Sequence, residues 1–81
     1  MAAKQYSPDA LIRERERAGL TRMQVAIKID STPNTVFNYE RPRTARAAAT
    51  PSAKRLGQLA DALGCSIDAF FAVPAEGGGD A

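Results

Sequence analysis

The sequence predicts an all-α protein, a compact five-helix bundle, and three observations carry that prediction. Ser7-Pro8, Thr32-Pro33 and Thr50-Pro51 each set a hydroxyl residue before a proline at the head of a helix-like stretch. A Ser or Thr side chain accepts a hydrogen bond from an orphan amide of the first turn, and proline there gives up only an N–H that had no partner. Gly19 and Gly64 stand where such stretches stop, as left-handed caps. Between these marks the apolar residues recur at helical spacing, with no alternating run that would read as a strand.

The first helix is expected from Pro8 to Ala18, closed by Gly19. The second starts from Thr21, with Gln24 three residues on to complete a capping box, and continues to Ile29. The third runs from Pro33 to Glu40, because Pro42 bars further extension. The fourth spans Ser52 to Leu63 and is stopped by Gly64. Ser66 is expected to cap a short fifth helix ending at Phe71 or Ala72, with Pro74 after it. The buried faces follow from the spacing: Val25, Ala26 and Ile29; Val36 and Tyr39; Leu56, Leu59, Ala60 and Leu63; then Ile67, Phe70 and Phe71. One domain over residues 7–73 is expected, between a flexible N-terminus, 1–6, and a flexible tail, 74–81.

A chain of 81 residues buries only one modest core. Its 44% hydrophobic and 25% charged content is that of a soluble globular protein. No apolar run reaches membrane-spanning length, and MAAKQYSPD lacks the hydrophobic region of a secretory signal, so a cytoplasmic protein is expected. Histidine is absent and Cys65 is the lone thiol, which excludes the usual metal sites and His-dependent triads. No cofactor, no metal and no enzymatic activity are expected.

Charge is distributed unevenly. Residues 22–55 hold seven basic and two acidic side chains, whereas residues 56–81 hold four acids and no base. A basic middle suits a polyanion, with the acidic end turned away from it.

The second and third helices, joined by a tight turn, make a helix-turn-helix. At 100° per residue, Asn34, Phe37, Asn38 and Arg41 share one side of the third helix, and Val36, Tyr39 and Glu40 point the opposite way. Asn pairs bidentately with adenine, Phe touches a thymine methyl, and Arg takes guanine or phosphate. Ordinary solvated faces mix Glu and Lys; this one sets an aromatic ring beside two amides. The following segment, RPRTARAAAT, brings three arginines and no acid, suited to phosphates or to a narrow A·T-rich minor groove.

The stretch AGLTRMQVAIKIDSTPNTVFNYER resembles the Cro and lambda-repressor-type helix-turn-helix family, on Gly19, Leu20, Thr21, Val25, Ala26, Thr32, Thr35, Val36, Tyr39 and Glu40. LGQLADALGCSIDAFF is similar to the family's closing pair of helices, so the resemblance covers most of residues 9–72. It implies a lambda-repressor-like domain that binds double-stranded DNA. Pro33, Asn34, Phe37 and Asn38 would meet base edges; Thr21, Arg22, Thr35, Arg41, Arg43 and Arg46 would meet the DNA backbone. It further implies a structural brace between Arg15 and Glu40. The chain departs from the family at Asp30, where the turn usually has glycine, at Ser31, usually apolar, and at Glu14, also usually apolar. Its Arg41–Thr50 connection is also longer than usual.

The expected function is therefore sequence-specific DNA binding by a small Cro-like repressor of phage or bacterial origin. An antitoxin-like or adaptor domain with a protein partner is the alternative. A homodimer on a two-fold site and a monomer on an asymmetric one both stay open.

Overall fold

Each helix begins where a hydroxyl side chain reaches a free amide of its own first turn. In the computed structural model, which describes residues 3–42 and 44–73, the helices are α1 (Pro8–Arg17), α2 (Arg22–Lys28), α3 (Pro33–Glu40) and α4 (Ala53–Leu63). Ser7, Thr21, Thr32 and Ser52 are the caps, accepting from the amides of Ala10, Gln24, Thr35 and Arg55. The Thr21–Gln24 capping box is complete in both directions, at 3.1 and 2.8 Å. Gly19 and Gly64 adopt φ of 73° and 70°, the left-handed stops that their positions require.

Pro51 does not open the fourth helix in the way that Pro8 and Pro33 open theirs. Ser52 takes the capping role, so Pro51 lies one residue outside the helix and is buried there. With buried Leu56 at the fourth helical position, it occupies the place of a hydrophobic staple.

The expected fifth helix is a single 3-10 turn, Ile67–Phe70, and the Ser66 hydroxyl makes no cap bond to it. The chain then extends as β2 (Phe71–Ala72), antiparallel to β1 (Gln5–Tyr6), with Tyr6 opposite Phe71. Among the described residues the bundle thus has four α-helices and a two-residue ribbon that the sequence pattern did not announce. Too short for alternation to show, the ribbon is held by its partner strand rather than by local preference. Its aromatic pair meets edge to face, with ring centroids 6.4 Å apart.

Pairing also draws Tyr6, expected in the flexible N-terminus, into the core at 7% exposure. Its hydroxyl donates to the Tyr39 carbonyl at 2.8 Å, tying the first residues to the end of α3. Burial, and then the charges of Glu40 and Tyr39, push the Tyr6 hydroxyl far above the ordinary tyrosine pKa. A raised folded-state value means that the stabilisation is complete below the unfolded pKa of about 10 and lost as pH climbs past it. Tyr6→Phe is expected to cost about 1 kcal/mol at neutral pH. In urea titrations across alkaline pH, it should also lose stability less steeply than the parent above about pH 10.

Leu11, Val25, Ile29, Val36, Leu59 and Phe70 are the largest fully buried side chains, so α1, α2, α3, α4 and the 3-10 turn meet in one core. Glu14, at a usually apolar position, has only 13% of its side chain exposed and is neutralised by Arg17 one turn on, at 2.6 Å. The α2–α3 turn carries Asp30 at φ 56°. It is fastened by backbone bonds from Asp30 to Ile27 and from Ser31 to Ala26, the latter 2.8 Å. Those bonds supply what an apolar residue at Ser31 would have supplied by packing.

Candidate nucleic-acid interface

α3 lies with Val36 and Glu40 buried against the rest of the bundle, which leaves its other side outward. Pro33 and Asn34 are exposed, Phe37 is 38% exposed and Asn38 is half-buried. The four residues expected to meet base edges therefore occupy one accessible flank. Thr35 is half-buried beside them, its amide donating to Thr32 Oγ1 at 3.2 Å and its hydroxyl 3.0 Å from the same oxygen. Thr21 and Arg22 sit exposed at the start of α2. The Thr21 oxygen accepts the Gln24 amide, and its own O–H remains a donor for an anion.

Beneath this flank lies Glu40, whose side chain is only 1% exposed. Arg15 Nε donates to Glu40 Oε2 at 2.6 Å and Arg15 Nη1 to the Leu20 carbonyl at 2.9 Å, so the brace between α1 and α3 is present. A second guanidinium reaches the same carboxylate: Arg22 Nε donates to Oε1 at 2.8 Å. Sequence reasoning treated Arg22 as a phosphate contact alone and missed this pairing. The signal was available, since Glu40 and Asp30 are the only acids among residues 22–55.

Arg22 keeps 43% of its side chain exposed, so it can hold Glu40 through Nε while its outer nitrogens face a phosphate. Its guanidinium carbon also lies 4.9 Å from the Phe37 ring centroid, and that of Arg41 lies 4.6 Å from the same ring. Each such contact is worth about 0.5–1 kcal/mol at an exposed site. Phe37 thus orders two cations, a role the thymine-methyl reading did not include.

The connection after α3 is folded back rather than extended. The amides of Ala45 and Ala48 donate to the carbonyls of Pro42 and Ala45, and Ala49 donates to Asn38 at the end of α3. Ala47 takes φ 67°, a left-handed conformation that costs a non-glycine residue about 1 kcal/mol. Arg41 is half-buried and bonded within this loop, whereas Arg46 is exposed. Arg43, also expected on the DNA backbone, lies outside the described residues.

The basic middle does not present all its charge to solvent. Arg55 Nη1 donates to the Ile29 carbonyl at 2.6 Å and to Gln58 Oε1 at 3.0 Å, closing the C-terminal end of α2. Together the surface offers donors and cations around two outward amides. That chemistry suits a polyanion.

A family model described as "Helix-turn-helix" matches residues 11–70. No curated protein matches the chain. Among solved structures it is similar to one described as "Crystal Structure of FeII HppE in Complex with Substrate form 1", with a TM-score of 0.66 and 27% identity. That similarity covers 86% of this chain and 37% of the other, so the chain spans little more than a third of that protein. Among the described residues, no helix is long and apolar enough to cross a membrane.

Proposed function

The chain belongs to the Cro and lambda-repressor-type helix-turn-helix family, and from that premise we propose that it is a sequence-specific repressor that acts by occupying a double-stranded operator. The observation that carries this reading is the outward flank of α3, where Asn34 and Asn38 stand beside Phe37 and its two arginines. α3 enters the major groove, and its amides read base edges. Thr21, Arg22, Thr35, Arg41, Arg43 and Arg46 serve the phosphates and set the register. Binding excludes polymerase without a cofactor or a catalytic step, in the cytoplasm of a bacterial host.

The roles separate in a binding titration on selected and random duplexes at several salt concentrations. Asn38→Ala is expected to cost about 1–3 kcal/mol on the selected duplex and little on the random one. Arg46→Ala should weaken both alike and reduce the slope of log affinity against log salt by about one. If the two variants behave the same on both duplexes, the division between reading and clamping is wrong.

The reading as an antitoxin-like or adaptor domain has one observation in its favour. Met23 and Ile27, one turn apart on α2, are 61% and 72% exposed, an apolar pair that would suit a protein partner. An exposed patch around Phe70 and Val73 would have favoured it too, but Phe70 is fully buried, as its place in the core requires.

A further inference from the structure

We propose that Arg41 turns from the phosphates to a base edge and acts with Asn38 as one donor-only reading head, and that the base it selects is guanine. The inference rests on the DNA-binding reading above and names what α3 recognises at one position. Arg41 Nε donates to Asn38 Oδ1 at 3.2 Å, and Arg41 Nη1 donates to the Arg46 carbonyl at 3.2 Å. The same guanidinium rests over Phe37. Three anchors therefore hold the arginine against the amide.

The consequence lies in hydrogen-bond polarity. A free asparagine offers an acceptor and a donor side by side, the pattern that matches adenine N6 and N7. Here Arg41 takes one lone pair of Oδ1 and the bond turns that oxygen toward the guanidinium, so the edge that Asn38 offers a base is its amide nitrogen, which only donates. Arg41 has no acceptor at all. Of the four major-groove edges only guanine presents two adjacent acceptors, O6 and N7. Asn34, one turn earlier, is exposed and has no such bond among the described residues. It retains the adenine pattern and supplies an internal control.

The test is selection of duplexes from a random pool by the full chain, by Asn38→Ala and by Arg41→Ala. The parent should select guanine at the position whose preference vanishes in Asn38→Ala. Arg41→Ala should change that position to adenine while the position assigned to Asn34 keeps its base. On the parent protein, 7-deazaguanine or 6-thioguanine at that guanine, removing N7 or weakening the position-6 acceptor while still pairing with cytosine, should each weaken binding about tenfold. These base analogues decide the matter even if Arg41→Ala fails to fold. Adenine selected by the parent, a position in Arg41→Ala that stays guanine or becomes indifferent, or analogues without effect would each overturn the inference while leaving DNA binding intact. A parent chain that binds no duplex overturns both.

Discussion

Glu40→Ala is expected to destabilise the protein by about 3–5 kcal/mol, because it strands a buried guanidinium rather than merely deleting a contact. Arg15 has 12% of its side chain exposed, so water cannot replace the carboxylate at 2.6 Å. Arg22 is 43% exposed and can turn to solvent. The loss should therefore follow Arg15, and urea unfolding of paired variants can show it. Arg15→Met combined with Glu40→Leu should recover much of the stability, since removing both charges avoids the orphan. If the double variant is no better than Glu40→Ala, the penalty is not that of an unpaired charge. DNA binding adds an independent reading. In the double variant Arg22 no longer has Glu40 to hold it, and affinity should fall for selected and random duplexes alike.

Phe70→Ala should cost about 3–5 kcal/mol, a large part of the roughly 5–15 kcal/mol that holds a domain together. The ring is 0% exposed. The Phe70 carbonyl accepts the Ser7 amide at 2.8 Å, so the chain around it also anchors the start of α1. Phe37→Ala provides the contrast. At 38% exposure, removing that ring and its two cation contacts should cost about 1–2 kcal/mol, well short of the Phe70 loss. It should still weaken DNA binding, because Arg22 and Arg41 lose the surface they lie over. Thermal unfolding and a binding titration on both variants separate the two aromatics. Similar stability losses would mean that Phe37 is a core residue and not a platform.

Most of the candidate site was legible because its markers are local. A cap joins residues three apart, and a helical face follows from a repeat of 3.6 residues, so Asn34, Phe37, Asn38 and Arg41 could be placed on one flank from the order of residues alone, Pro33 being added by the family resemblance. Asp30 in the turn was readable for the same reason, since its left-handed φ belongs to a single residue. The second arginine on Glu40 was not, although the scarcity of acids hinted at it. Nor was the bond between Arg41 and Asn38, which depends on how the chain leaves α3.

What the sequence determined by itself was where the four α-helices start and stop and which sides of α2, α3 and α4 are buried, whereas Ile67, expected in the core, is 43% exposed. The starts, stops and faces are decided by neighbours within a turn, whose interactions form whatever the rest of the chain does. Only the tertiary structure decided that Tyr6 closes onto Tyr39, that residues 71–72 become a strand, and that Arg22 shares Glu40 with Arg15. These contacts join residues 18 to 33 positions apart for the hydrogen bonds. Such partners meet only after the helices have packed and water has been excluded, so packing rather than local preference selects them.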